Sequence, residues 1–185
     1  LWLITAIVLK LQKADLMEFP PQWSPKTRSK IMAKFTATTV NALQTEIMRR
    51  ANLALNNEIA STVKERLKTH VQKDVYSTYS PVEYERREGS GGLVDDKNLK
   101  HKVRGRTLYV YEEAPIDGPR LDAPNFKNKP DSLARIIEEG AYNPWNYRKY
   151  KWTKPRPFME NTQDDIDYRY ADIVKLLKNR IEHDK

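Results

Sequence analysis

Two short pieces decide how this chain reads: Leu133-Ala134-Arg135-Ile136-Ile137-Glu138-Glu139-Gly140 and Arg156-Pro157-Phe158-Met159-Glu160-Asn161-Thr162. The first is a short amphipathic segment that Asp131 or Ser132 can cap and that Gly140 stops, the pattern of a brief helix. The second fixes the chain with a proline, offers Phe158 and Met159 for burial, and leads into a final helix. Between them lies an aromatic and basic insert, Ala141 to Pro155, without one acidic residue. The whole reads as a framework carrying a loop, not as a catalytic site.

Working outward, the final helix is expected to begin after Asn161 or Thr162. Ile166, Tyr170, Ile173, Val174, Leu177 and Ile181 form one apolar face at helical spacing. Asp164 and Asp165 are expected at its positive end, and Lys175, Lys178 and Arg180 near its negative end. Upstream, Thr107-Leu108-Tyr109-Val110-Tyr111-Glu112 is the clearest strand, reached through a charged loop from Asp95 to Arg106. Gly89-Ser90-Gly91-Gly92-Leu93 reads as a turn needing backbone freedom. Val75 to Arg86 reads as extended, with Pro81 keeping it from a central place in a sheet. Pro115 to Pro130 is a long proline-bearing loop.

A long helix is expected from about Thr39 to about Asp74. Its apolar residues, Leu43, Ile47, Ala51, Leu55, Ile59, Val63, Leu67 and Val71, fall every four positions without the usual alternation of three and four. At about 100° per residue, each step of four rotates the stripe by about 40°, so it winds most of the way round one straight helix. A break or kink at Asn56-Asn57 resolves this, since paired asparagines are poor interior helix residues. The alternative is a helix that touches different partners along its length.

The N-terminal side reads as an extended arm, residues 1–30, ahead of one α+β domain, residues 31–185, with long loops at 115–130 and 141–155. The expected architecture is a long, kinked N-terminal helix and a C-terminal helix packed on a small antiparallel sheet. Leu1 to Leu11 is the one strongly apolar run, with Leu1, Trp2, Leu3, Ile4, Ile7, Val8, Leu9 and Leu11 as candidate subunit-contact residues. It is far shorter than the roughly 20 residues of a membrane-spanning helix. It also lacks the basic lead and small-residue cleavage site of a secretory signal, so a buried strand or a partner-binding arm is expected. Glu18 to Thr27, with Pro20, Pro21 and Pro25, reads as an extended connection.

The totals suit one domain with a core: 185 residues, 39% hydrophobic, 31% charged. No cysteine is present, which excludes disulfides and thiolate metal sites. The net charge of +8 fits nucleic acid, an acidic partner or a soluble surface. His70, His101 and His183 are scattered without ligand spacing and read as surface residues. No Walker loop, dinucleotide fingerprint, zinc-protease helix or nucleophile elbow occurs. Glu138-Glu139 and Asp164-Asp165 are adjacent pairs that point apart on a helix, which suits solvated charge rather than a catalytic dyad. No catalytic residue, metal ligand or cofactor is therefore expected.

One chemical cluster stands out, Trp145 to Arg156, which spans the end of the insert and carries five cations and four rings. Trp145, Arg148, Lys149, Tyr150, Lys151, Trp152 and Lys154 are the candidate contacts to DNA or to an acidic partner. Cations for phosphates and rings for bases would suit single-stranded nucleic acid. The plainer reading, rings packed on the domain with charges in water, is preferred because no nucleic-acid module surrounds the cluster.

The order of long helix, glycine turn, strand, Ala-x-x-Ile-Glu-x-Gly, Arg-Pro-Phe and terminal helix resembles a tailed-bacteriophage family. These are the tail-component, or neck and tail-completion, proteins related to the minor tail protein Z of phage lambda. Gly91, Gly92 and Leu93 match its turn; Ala134, Ile137, Glu138 and Gly140 its central motif; Arg156, Pro157 and Phe158 its last. The resemblance runs from about Val40 to Ile181. It implies a non-enzymatic virion subunit, without cofactor, assembled in the host cytoplasm into a hexameric or dodecameric ring at the head–tail junction. Its partners would be its own copies and neighbouring connector and tail proteins, with no membrane. Any DNA contact would be sequence-independent and salt-sensitive. The alternatives are a free nucleic-acid-binding protein using 145–156, another connector ring protein (adaptor, stopper or tail terminator), and a small hydrolase or nuclease built from distant carboxylates.

Overall fold

A computed structural model describes residues 6–10, 40–78, 91–114, 133–140 and 154–183. The remaining arm residues, among them Leu1 to Ile4 and Leu11, lie outside these, as do Glu18 to Thr27, Pro81, Gly89-Ser90 and the 115–130 loop. So do Asp131, Ser132 and insert residues 141–153, which include Trp145, Arg148, Lys149, Tyr150, Lys151 and Trp152.

The fold is α+β, as expected: a long N-terminal helix, C-terminal helices and a small three-stranded antiparallel sheet. The strands are β1 (Ala6–Lys10), β2 (Leu99–Arg104) and β3 (Thr107–Glu112), in the order β1-β3-β2. The helices are α1 (Val40–Ala54), α2 (Ala60–His70), α3 (Leu133–Glu139), α4 (Phe158–Tyr168) and α5 (Tyr170–Glu182).

The spacing of four is resolved without a break. Between α1 and α2 the helix passes through a π turn, Leu55–Ile59, and after α2 through a second, Val71–Tyr76. A π turn closes i→i+5 bonds and so takes up one extra residue, which sets the stripe back by about 100°. Six steps from Ala51 to Val75 accumulate about 240° of drift, and two π turns remove about 200° of it. Ala51, Leu55, Ile59, Val63, Leu67, Val71 and Val75 are accordingly all buried. Asn56-Asn57 marks the right place: both residues lie inside the first π turn, a wide turn of the kind at which helices bend. The helix also runs past Asp74, so Val75 and Tyr76 are helical, not extended.

The stretch read as a charged loop contains β2. Its residues alternate, Leu99 buried, His101 and Val103 half-buried, Lys100, Lys102 and Arg104 exposed. The cations hid a period of two that was present in the sequence. Gly105-Arg106 turns the hairpin, with φ +60° at Gly105 and no positive φ at Arg106, the pattern of a type II′ loop. β1 pairs with β3 of the same chain, and its Leu9 is buried.

The final helix begins at Phe158, earlier than expected, and is two helices separated at Arg169. No proline or glycine marks that break. Ile166, Ile173 and Leu177 are buried, while Tyr170, Val174 and Ile181 are half-buried.

The chain divides into two compact units, residues 1–7, 63–101 and 110–167, and residues 8–62, 102–109 and 168–185. In the first unit the buried residues include Val63, Leu67, Leu93, Leu99, Val110, Ile137 and Phe158. In the second they include Leu9, Leu55, Ile59, Leu108, Ile173 and Leu177. Here α1 packs on α5, and Arg50, buried, donates to the Ile181 carbonyl at 2.8 Å. That places a cation at the negative end of α5. Arg49 and Arg50 clasp Glu46 at 2.7 and 2.8 Å and hold its carboxyl down at about 2.

Candidate functional site

Within the first unit the two opening segments are joined by one side chain. A helix begins with N–H groups that have no partner in the preceding turn. At α4 the Met159 N–H donates to Glu138 Oε2 at 2.9 Å, and the Glu160 N–H to Glu138 Oε1 at 3.0 Å. Glu138 therefore caps α4 from another helix, with a carboxylate at the positive end of the dipole. The Arg156 N–H donates to the Ile137 carbonyl at 2.9 Å, one residue from the cap. Pro157 sits just before the helix, where its missing N–H costs nothing, and its carbonyl accepts from Asn161 at 2.9 Å.

Every motif residue of these segments has a task in this joint. Ala134, Ile137 and Phe158 are buried, and Gly140 ends α3 at φ +76°, a conformation that favours glycine. Burial pushes the Glu138 carboxyl above its ordinary range. The Met159 and Glu160 N–H groups oppose the rise, and the charges of Glu160 and Asp74 add to it.

The long helix pins the same α4. Arg66 Nη1 meets Asp165 Oδ2 at 2.7 Å, and Asn161 Nδ2 donates to Asp74 Oδ2 at 2.9 Å. Asp74 also pairs with His70 Nδ1 at 3.0 Å. These contacts correct three expectations. Asp165 lies in mid-helix and serves an ion pair, because α4 starts at Phe158 and Glu138 holds its positive end. Glu138 is a cap, whereas Glu139 is exposed and pairs with Arg135 at 3.1 Å. His70 is half-buried and partnered, not a plain surface residue; His101 is half-buried, and His183 is exposed.

The glycine turn is organised by Asp95, which sequence reading passed over as loop charge. Its Oδ2 accepts from Gly91 N–H at 2.7 Å and its Oδ1 from Lys97 N–H at 2.9 Å. These bonds, that from Gly91 foremost, hold the Asp95 carboxyl below its usual range. Gly91 has φ +74°, and Leu93 is buried. The signal was an aspartate bonding a backbone N–H two residues on, a common turn device.

Glu112 was legible from period two alone. It follows Leu108 and Val110 on the inward face of β3 and is buried like them. One carboxylate oxygen accepts from Ala114 N–H, while Oε2 has no partner of normal geometry among the described residues. Burial pushes its pKa up to about 7, although the Ala114 and Ala134 N–H groups favour the ionised form. Of the basic insert, Lys154 and Pro155 fall among the described residues, both exposed, and Arg156, which follows it, is half-buried.

The polar side chains of the joint hold backbone N–H groups, as Glu138 does, or one another, as in Arg66–Asp165 and Asn161–Asp74. Among the described residues no group of three His, Cys, Asp or Glu could hold a metal ion, and no helix is long and apolar enough to cross a membrane. No curated protein and no solved structure shows significant similarity to the chain. A family model does match, over residues 39–183, the span that holds the long helix, the hairpin and the Glu138 joint. The chain belongs to the YomN family, a phage-derived family of Bacillus prophage, and is thus a phage-associated protein.

Proposed function

We propose that this protein is a structural component of the phage particle at the head–tail connector. In this role it acts as a neck or tail-completion subunit whose copies form a ring joining the head side to the tail. It performs no reaction and needs no cofactor. Its partners are its own copies and the connector and tail proteins above and below.

The observation that carries this reading is the Glu138 joint. The segments that resemble the neck and tail-completion proteins are bonded to each other, Glu138 to Met159 and Glu160, and Ile137 to Arg156. They work as one device, which argues that the resemblance extends to the frame and not only to short strings of residues. Membership of a phage-derived family supports the same assignment.

Native mass spectrometry of the purified chain tests it. A closed ring of six or twelve copies is expected. Monomers alone at every concentration, from a chain that also fails to join tail or connector proteins, would overturn it.

A further inference from the structure

β2 is an edge strand, with β3 on one side and no strand on the other among the described residues. Its exposed positions are Lys100, Lys102 and Arg104. At about 3.3 Å per residue, alternate side chains stand about 6.6 Å apart on one face, a spacing of the same order as that of neighbouring phosphates along a nucleic-acid strand. None of the three is drawn into a close ion pair among the described residues, although the Asp95 carboxylate feels the charge of Lys100. Arg49, Arg66, Lys68, Arg135 and Arg180, by contrast, are all paired with acids.

Lys100, at the start of the row, has charges of both signs near it, Lys64 and the Asp95 carboxylate. Burial lowers the Lys64 pKa, and although Asp96 opposes this, Lys100 lowers it further as a like charge close by.

Lysines on an edge strand also discourage strand addition. That task is indifferent to sign, since glutamate guards an edge as well. Here all three exposed positions carry the same sign, in a chain with a net charge of +8. The row contains no exposed ring, so it offers nothing for bases to stack on, as single-strand binding requires.

We propose that the Lys100–Lys102–Arg104 row on β2 is a contact site for the phosphate backbone of double-stranded DNA, indifferent to base sequence. This does not rest on the connector reading, and a ring that ignores DNA would leave that reading intact.

The test is fluorescence anisotropy of the full chain with a labelled random-sequence duplex, from about 50 to about 200 mM salt. Each phosphate contact adds about 0.9 to the salt slope, so Lys100→Thr/Lys102→Thr/Arg104→Thr is expected to lower it by about 2.7. Over that fourfold rise in salt, the triple variant then loses about 40-fold less affinity than the parent. Lys102→Thr alone is expected to lower the slope by about 0.9, which keeps the test decisive if the triple variant does not fold. Lys175→Gln/Lys178→Gln, which removes two exposed cations from α5, is expected to leave the slope unchanged.

Four results would overturn the proposal. These are no binding by the parent at low salt, an unchanged slope in the β2 variants, an equal fall per charge in the α5 variant, or tighter binding of single strands. If Lys151→Ala/Trp152→Ala abolished binding while the β2 variants kept the parent slope, the contact would belong to the 145–156 segment.

Discussion

Replacing Glu138 by alanine removes one side chain and leaves two helix N–H groups without their acceptor. In the folded chain those are Met159 N–H at 2.9 Å and Glu160 N–H at 3.0 Å, and Met159 is buried. Loss of a helix cap costs about 0.5–2 kcal/mol, and hydrogen bonds to a charged group are each worth about 1.5–3 kcal/mol. The raised pKa shows that burial already disfavours the ionised carboxylate, so the sum of the two bonds overstates the loss. About 2 kcal/mol is expected, which lowers Tm by about 4–8 °C in a chain of this size. Glu138→Gln keeps one acceptor oxygen and sheds the cost of a buried charge, so it should lose less than Glu138→Ala. Thermal and urea unfolding followed by circular dichroism measure both. Hydrogen exchange gives the site-specific reading, because Met159 and Glu160 should lose protection by about 30-fold where 2 kcal/mol is lost locally. If Glu138→Ala left Tm and both amides unchanged, the joint would not be held by this carboxylate.

Three further outcomes follow from the same geometry. Glu112, raised from 4.5 to about 7, binds its proton more tightly folded than unfolded. Its contribution is therefore full below pH 4.5 and lost as pH rises through about 7. Lowering pH from about 8 to about 5.5 should stabilise the parent by about 2 kcal/mol more than Glu112→Gln, measured by urea unfolding at both values. Deleting Asn57 converts a π turn to an α turn and keeps the stripe in phase, whereas deleting Glu65 from α2 rotates everything beyond it by about 100°. The first deletion should retain a cooperative melt and the second should abolish it; equal damage by calorimetry would refute the phase argument. Gly105→Ala meets no atom within 4 Å but must adopt φ +60°, so a loss of about 1–2 kcal/mol is expected, without change in the hairpin.

How much of this could be read from the sequence depends on how local each cause is. Gly140 as a helix stop, the burial of Ala134 and Phe158, and the strand Thr107–Glu112 follow from residue type and period. The drift of the Leu43–Val71 stripe was also visible, and so was the site of its remedy at Asn56-Asn57. Its form was not, because a π turn is chosen by what the helix must bury over its whole length. β2 was masked by its cations, although Leu99, His101 and Val103 kept the alternation. The cap on α4 was beyond reach for a different reason. Glu138 and Met159 are 21 residues apart, and nothing local shows that a carboxylate of one helix will serve the N–H groups of another. The pairs Arg66–Asp165 and Asp74–Asn161 are longer-range still, at 99 and 87 residues.

The place of the protein in the particle is the claim on which the functional account stands. Cryo-electron microscopy of intact phage particles, with the chain carrying a labelled C-terminus, tests it most directly. A closed ring of label density at the junction of head and tail is the expected result. Particles that assemble complete necks and tails without the chain, and show no label there, would contradict it.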